Sequence, residues 1–264
     1  MIHVGRVREI VRYPVKSMAG IATESAMLGW HGLEGDRRFA FRRAGADGDF
    51  PWLSASRLPE LLLYQPVDNG ESPPTHVRTP RGSLLQVGSA DLNAEIGKRL
   101  GSGVELMQLK HGIFDEATIS VIDLATIAGI GRESGVGADL DRRRFRANIV
   151  LETENTQPFL EDEWVGGTLV FGDSEGHGSL ATDTSLRDHG QPAVSVTMRD
   201  LRCVMVDLDP DTAEKDARIM KTVVRLNRNY AGVYGTVVRT GRIRVGDLVS
   251  LDANRQGSSE STRE

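Results

Sequence analysis

The sequence has one cysteine, few lysines and no long hydrophobic run, and each absence excludes a class of protein. The single cysteine, Cys203, excludes internal disulfides, four-cysteine zinc sites and cysteine-ligated iron–sulfur clusters in this chain of 264 residues. No stretch approaches the ~18 consecutive apolar residues of a transmembrane helix. Charged residues near the start interrupt any secretory signal. We therefore expect a cytoplasmic protein that has no membrane partner.

Lysine accounts for only 5 of the 32 basic residues, and the net charge is -5 at pH 7. A negative net charge argues against general nucleic-acid binding. The excess of arginine is typical of a GC-rich coding sequence and specifies no function by itself. Hydrophobic residues make up 39% and charged residues 26%, so the chain can build a core as one large domain or two ordinary ones.

The common motifs of nucleotide-binding and hydrolytic sites are also missing. The sequence contains no G-x-G-x-x-G, no P-loop ending in Gly-Lys-Ser/Thr and no G-x-S-x-G. Its six histidines never pair at the H-x-x-x-H spacing of zinc hydrolases. A nucleotide fold, a serine hydrolase of that type and a zinc hydrolase are therefore not supported.

What is present is a series of short strand-like runs separated by glycine-rich turns. This pattern predicts a mainly β protein of barrel type with a few helices, and not a βαβ sheet. We expect a long loop at residues 172–192, a disordered tail at 253–264 and a domain boundary near 111–116. The predicted strands cover residues 2–13, 22–28, 38–42, 61–67, 84–87, 145–151, 164–171 and 194–209, with a terminal hairpin of 235–239 and 243–251. The predicted helices cover residues 89–100, 121–133 and 211–226, the last with Asp211 and Glu214 at capping-box spacing.

Several predicted strand ends carry groups that bind anions. Lys16 and Ser17 follow the first strand, and Arg37 begins another after a glycine turn. Arg144 and Arg146 are predicted to share one face of a strand. Arginine forks bind phosphate in a bidentate manner, and a lysine with a serine completes such a cradle. Taken singly, each is more often a solvated strand end, but binding loops also cluster at strand ends.

Cys203 lies in an apolar run, residues 201–207, that predicts a buried strand. On composition alone, an inert core cysteine is the simplest interpretation. The alternative is functional, because a thiolate beside a phosphate cradle could ligate a soft transition metal that is held on a phosphorylated organic ligand.

The order of these segments resembles that of the MOSC (molybdenum cofactor sulfurase C-terminal) superfamily. The similarity is to members with an N-terminal MOSC β-barrel domain followed by the MOSC domain, such as the mitochondrial amidoxime-reducing component and its bacterial relatives. It implies two barrel domains that share a cleft, over residues 1–113 and 114–252. The matching motifs are Tyr-Pro-Val-Lys-Ser at 13–17, Gly-Asp-Arg-Arg-Phe at 35–39, Phe-Arg-Ala-Asn at 145–148, Phe-Leu-Glu-Asp-Glu-Trp at 159–164, Arg-Cys at 202–203 with Asp-Pro-Asp-Thr at 209–212, and Val-Gly-Asp at 245–247.

The resemblance implies a molybdenum cofactor, Mo-molybdopterin, whose metal is ligated by Cys203. Asp115 then stands where such reductases carry an aspartate near the metal. Trp164 is expected to pack the barrel and not to contact a ligand. The implied cofactor-binding residues are Lys16, Ser17 and Arg37 from the first domain, and Arg146, Asn148 and Arg202 from the second.

The activity that the resemblance implies is reduction of small N-hydroxylated compounds, such as amidoximes, hydroxylamines and N-oxides, by oxygen-atom transfer to molybdenum. Because no ferredoxin-like extension follows residue 252, the electrons would come from a separate donor protein of the ferredoxin, flavin reductase or cytochrome b5-like type.

Two alternatives remain open. The protein could be a carrier of sulfur or cofactor that uses Cys203, or a catalytically inactive barrel that binds an anion. A carrier needs an exposed thiol, whereas a metal ligand lies in a pocket.

Overall fold

The computed structural model describes residues 1–46, 50–67, 74–110, 113–172 and 190–253. Within these ranges the chain is mainly β, and its three α-helices are α1 (Ala90–Leu100), α2 (Leu124–Ser134) and α3 (Arg218–Asn227). The predicted loop and tail fall largely at residues 173–189 and 254–264, which lie outside the described residues. The strands are β1 (Ile2–Arg12), β2 (Ile21–Thr23), β3 (Ser25–Gly29), β4 (Gly32–Leu33), β5 (Phe39–Arg43), β6 (Gln65–Val67), β7 (His76–Arg78), β8 (Leu84–Gln86), β9 (Val104–Gln108), β10 (Ile119–Asp123), β11 (Ile149–Thr153), β12 (Thr168–Gly172), β13 (Ala193–Leu201), β14 (Tyr230–Arg239), β15 (Gly241–Arg244) and β16 (Leu248–Asp252).

Seven strands form a closed barrel in the order β1, β11, β10, β14, β13, β12 and β16, and β16 pairs with β1 again. Neighbours are antiparallel except for the parallel pair β10 and β11. Every one of these strands contributes alternate side chains to one buried core. Trp164 also packs into that core, as predicted.

The N-terminal strand β1 closes this barrel because it pairs on both sides. Gly5 of β1 faces Thr153 of β11 and Val249 of β16. A Cβ atom at this position would lie 2.3 Å from the carbonyl oxygen of Glu152. A glycine is therefore required at position 5, where the backbone of β11 leaves no room for a Cβ atom.

A second core lies under the smaller sheets in the first half of the chain. It is built on the pair β5–β9, the three strands β6, β7 and β8, and helix α1. Helix α1 begins and ends as predicted: the Ser89 hydroxyl accepts the N–H of Leu92, and Gly101 ends the helix in the left-handed conformation.

Two of the predicted helices begin later in the chain than the sequence pattern indicated. Residues 121–123 end the buried strand β10, and Asp123 then caps α2 by accepting the N–H of Ala125. Helix α3 begins at Arg218, so Asp211 and Glu214 do not form its capping box. Asp209 instead accepts the N–H groups of Asp211 and Thr212, which makes this segment a turn.

The strands predicted around the anion-binding groups are shorter than expected. Residues 59–63, 142–145, 160–164 and 204–207 are 3-10 helices, so the strands predicted at 61–67, 145–151, 164–171 and 194–209 each lose one end. Arg144 lies in such a helix, and Arg146 follows it in a left-handed conformation with φ 52°. The prediction that these two arginines share a strand face is therefore wrong, because the chain turns between them.

The predicted terminal hairpin does not form. Strand β15 pairs with β3 and not with β14, and β16 pairs with β1 and β12. The pairing with β3 places Ile243 in the barrel core together with Ala26 and Leu28, so burial of apolar side chains decides it. No helix in the described ranges is long and apolar enough to cross a membrane.

Candidate functional site

One open pocket of about 750 Å³ gathers most of the predicted site residues from both halves of the chain. It lies between the segment after β1, the loop that precedes β10, the turn before β11 and the end of β13. The predicted site residues that line it are Lys16, Ser17, Arg37, Asp115, Arg146, Arg202 and Cys203. Residues far apart in sequence thus line one cavity. Their functions in binding a cofactor remain predictions.

The segment after β1 is shaped by a short bridge to the start of β5. Lys16 donates its backbone N–H to the carbonyl of Phe39, and Ser17 then adopts a left-handed conformation with φ 68°. The Lys16 Nζ donates to the carbonyl oxygen of Phe114 at 2.8 Å. Burial lowers the pKa of Lys16, although the neighbouring Asp115 partly opposes this. One ammonium proton is therefore held by the protein, and the others are available to a ligand.

Arg37 is buried, and the protein itself occupies most of its guanidinium. Its Nη1 donates to Asp36 Oδ2 at 2.6 Å and to Asn148 Oδ1 at 3.0 Å, and its Nη2 donates to the carbonyl of Arg146 at 3.0 Å. Its Nε lies 2.6 Å from Asp115 Oδ2. Burial opposes the charge, but Asp36 and Asp115 outweigh it and raise the pKa of Arg37. Of the five N–H groups of an arginine, only one remains for a ligand. Arg37 therefore serves mainly to connect the segments on the two sides of the pocket.

Asn148 is fully buried and lies behind the pocket wall. Its Oδ1 accepts the Arg37 Nη1 and also the backbone N–H of Ser120 at 3.1 Å, while its Nδ2 donates to the carbonyl of Val11 at 3.2 Å. It is not among the residues that line the pocket. Its predicted contribution to cofactor binding is therefore indirect, through Arg37.

Arg146 is the cation that the structure leaves most open toward the pocket. Its guanidinium stacks over the Tyr13 ring at 4.2 Å, and its Nη1 donates to the carbonyl of Met18 at 2.6 Å. Within the described ranges, its Nε and Nη2 have no hydrogen-bond partner. Burial lowers the pKa of Arg146 to about 10, so the group remains charged at neutral pH. A half-buried cation with free donors is suited to binding an anion.

Arg202 is held by the backbone of two other segments. Its Nε donates to the carbonyl of Ala231 and its Nη1 to that of Phe145, both at 2.6 Å. Its Nη2 lies 2.8 Å from Asp200 Oδ2 but is not aligned for a hydrogen bond, and this buried atom has no hydrogen-bond partner in the described chain.

Cys203 does not lie in a buried strand, as its apolar neighbours predicted. Strand β13 ends at Leu201, and Cys203 is an exposed residue that precedes the 3-10 helix Val204–Asp207 and lines the pocket. The interpretation as an inert core cysteine is therefore wrong. Asp115 lines the same pocket, and although burial works against its charge, Arg37 and Lys16 outweigh this effect and lower the pKa of Asp115.

The pocket also contains residues that the sequence did not indicate. Asp200, Ser120 and Tyr234 line one wall, and Trp52 and Phe114 line another with their rings 4.7 Å apart in an edge-to-face contact. Ser120 and Tyr234 face each other across β10 and β14, so strand pairing brings them together and no local motif marks them. Among the described residues, no group of three or more His, Cys, Asp or Glu side chains could hold a metal ion.

Comparison with known proteins gives two family matches. The model of the MOSC N-terminal beta barrel domain matches residues 4–114, and that of the MOSC domain matches residues 108–250. No curated protein matches the sequence. Among solved structures, the YuaD protein from Bacillus subtilis is 13% identical, with 95% of this chain and 96% of that chain covered and a TM-score of 0.49. YiiM from Geobacillus stearothermophilus is 16% identical, with 51% and 54% covered and a TM-score of 0.33.

The family assignment depends on the two family models, which together cover the chain from residue 4 to residue 250. The chain therefore belongs to the MOSC family, with the MOSC N-terminal beta barrel domain followed by the MOSC domain.

Proposed function

We propose that this protein is a cytoplasmic oxidoreductase that uses the molybdenum cofactor to reduce N-hydroxylated compounds. Membership of the MOSC family indicates a function related to the molybdenum cofactor. One observation carries the finer proposal: the only thiol of the chain shares a pocket with Lys16, Arg146 and Arg202, which come from three distant segments. A thiolate for a metal and cations for a phosphate are the two kinds of ligand that a phosphorylated metal cofactor requires.

The residues present fit such a cofactor. The volume of about 750 Å³ lies within the range of pockets that bind small organic ligands. Cys203 is exposed, so its sulfur is free to ligate a metal. Arg146 has donors that no described residue accepts and that a bound anion would accept, whereas the Nη2 of Arg202 already lies 2.8 Å from Asp200 Oδ2.

In the proposed mechanism, Lys16, Ser17, Arg146 and Arg202 bind the phosphate and pterin of the cofactor, and Cys203 ligates its metal. When bound, the cofactor supplies the two-electron chemistry that removes oxygen from nitrogen. The protein contributes binding, orientation and shielding. Arg37 keeps the two sides of the pocket together, and the edge-to-face pair Trp52 and Phe114 offers an apolar wall against which a small substrate can lie. The electrons come from a donor protein of the ferredoxin, flavin reductase or cytochrome b5-like type.

The decisive experiment compares protein made in a host that synthesises the molybdenum cofactor with protein made in a host that cannot. We expect molybdenum in a stoichiometric amount only in the first preparation. With a chemically reduced viologen dye as electron source, that preparation should convert an aryl amidoxime to the amidine. A preparation that contains molybdenum but reduces no N-hydroxylated compound would contradict the enzyme proposal.

The exposure of Cys203 also favours a second candidate, a carrier of sulfur or cofactor. Such a carrier would hold a persulfide on Cys203 or pass bound cofactor to another protein. Intact mass after incubation with a cysteine desulfurase and cysteine distinguishes the two. A carrier gains the mass of one sulfur atom on Cys203, whereas the enzyme with molybdenum bound to this thiol does not.

A further inference from the structure

We propose that Asp200 donates a proton into the pocket during reduction of the substrate, with Ser120 and Tyr234 setting the polarity around it. This proposal rests on the proposed reductase function and assigns a residue to its proton supply. The reaction breaks the N–O bond of the N-hydroxylated compound and consumes two electrons and two protons. Its products are the N–H compound and one molecule of water. The donor protein supplies the electrons, Asp200 supplies one of the protons and solvent supplies the other.

The placement of Asp200 fits a proton donor. The residue is only 1% exposed, yet it lines the pocket together with Cys203. Its Oδ2 accepts the hydroxyl of Ser120 at 2.8 Å and lies 2.8 Å from Arg202 Nη2. Its Oδ1 is buried and has no hydrogen-bond partner in the described chain, so this oxygen is free to carry a proton. Oδ2 therefore interacts with neighbouring side chains of the protein, and Oδ1 is the oxygen that carries the proton in this proposal.

Burial, partly opposed by neighbouring groups, raises the pKa of this carboxyl above its ordinary value. Burial is the largest effect and raises the pKa of Asp200 to about 6, and the charge of Asp115 adds to it. Arg202, the Ser120 hydroxyl and Arg37 act in the opposite direction. Tyr234 on β14 faces the same wall, and its own pKa is raised by burial and by the Asp200 carboxylate. A group with a pKa near the working pH is the most effective proton donor.

Asp115, the other carboxyl in this pocket, is not suited to this task. Its Oδ2 pairs with Arg37 Nε at 2.6 Å, and its pKa is lowered, so it remains ionised at neutral pH. The two carboxyls thus lie in environments that separate their pKa values in opposite directions, which is the arrangement by which enzymes divide acid and electrostatic roles.

The test compares the wild type with Asp200→Asn, which keeps the side-chain shape and the acceptor for Ser120 but cannot supply the proton. Cofactor-free protein is labelled with carbon-13 at the aspartate carboxyls and titrated by NMR. We expect one carboxyl of the wild type to titrate near pH 6 and to be missing from the variant. In the cofactor-loaded enzyme, kcat of the wild type should fall as the pH rises through 6. Asp200→Asn should bind the same amount of molybdenum and lose about a hundredfold in kcat, with that pH dependence removed.

Ser120→Ala provides a second variant in case Asp200→Asn does not fold. It keeps the carboxyl but removes a hydrogen bond that favours the ionised form, so the pKa of Asp200 should rise further. The NMR midpoint and the fall in kcat should then move to higher pH together. A matching shift in both measurements supports the proposal, whereas a shift in the NMR midpoint alone would overturn it.

The remaining outcomes separate this proposal from the proposed function. If loaded Asp200→Asn shows the kcat and pH profile of the wild type, Asp200 is not the donor, but the reductase function stands. If the variant binds less molybdenum and has an unchanged kcat per bound metal, Asp200 only positions Arg202 and the proposal is wrong. If the wild type itself contains molybdenum and reduces no N-hydroxylated compound, both proposals fail.

Discussion

The Nη1 of Arg37 donates to Oδ1 of Asn148 at 3.0 Å, across 111 residues of sequence. Both side chains are buried, and the same Asn148 oxygen also accepts the backbone N–H of Ser120. Arg37 continues the connection to the carbonyl of Arg146 and to Asp115. One buried network thus fixes the pocket wall formed by the N-terminal segment relative to the wall formed by β10 and the turn before β11.

Asn148→Ala should destabilise the fold because it leaves the N–H of Ser120, the carbonyl of Val11 and part of Arg37 without partners. Leaving a buried polar group unpaired costs roughly 1–3 kcal/mol. We expect the free energy of unfolding in urea to fall by at least that amount, and cofactor occupancy to fall with it. Asn155→Ala is the matched control, because this asparagine is exposed and its side chain accepts only the N–H of Gln157 in a surface turn. Equal stability of the two variants would show that the network does not brace the fold.

Cys203→Ser should abolish turnover of N-hydroxylated compounds and leave the fold intact. The residue is exposed, so replacing sulfur by oxygen removes a metal ligand without disturbing the core. Circular dichroism and the unfolding midpoint should match those of the wild type, whereas kcat per chain should drop to background. Wild-type turnover together with wild-type molybdenum content would remove Cys203 from the site.

Arg146→Ala should lower cofactor occupancy rather than turnover per bound molybdenum. Its free donors can make charge-assisted hydrogen bonds to an anion, and losing them costs roughly 1.5–3 kcal/mol of binding, about ten- to a hundredfold in affinity. Metal analysis after extensive dialysis measures the loss. Arg78→Ala on the exposed side of β7 is the control, and it should retain its molybdenum. If both variants retain the metal equally, Arg146 does not bind the cofactor.

Glu161→Gln should change how stability depends on pH, at a residue that does not line the pocket. Burial raises the pKa of Glu161 from 4.5 to about 7, although Thr126 donates to its Oε2 at 2.8 Å. Because the folded-state pKa is the higher one, the folded protein retains a proton between pH 4.5 and 7 that the unfolded chain releases. Stability therefore falls as the pH rises through this range and levels off above pH 7.

The glutamine variant lacks this titration, so its unfolding free energy should exceed that of the wild type at pH 8, by on the order of 3 kcal/mol. The two proteins should have similar stability near pH 4. Urea unfolding across this pH range is the measurement, with the exposed Glu163→Gln as control. An identical pH dependence for wild type and Glu161→Gln would mean that folding does not shift the pKa of Glu161.

The sequence by itself determined those features that depend on neighbouring residues. The run of short strands indicated a mainly β protein of barrel type, and helix α1 could be predicted with its Ser89 cap and Gly101 end because caps are made within one turn of chain. The order of motifs also indicated the MOSC family. The types of residue at the site, a lysine, several arginines and one cysteine, could be read for the same reason, since their chemistry does not depend on the fold.

Only the tertiary structure decided how those residues face one another. The early end of β13 exposes Cys203 despite its apolar neighbours, and the turn at Arg146 separates it from Arg144. Arg37 and Arg146 are both arginines that follow turns. Nearly all N–H groups of Arg37 are hydrogen-bonded to protein groups, whereas Arg146 keeps free donors. Asp200 became a candidate only because barrel closure buries it beside Ser120. Burial and partner count are set by strand pairing between distant segments, which no local pattern encodes, and these two quantities decide whether a charged side chain binds a ligand or supports the fold.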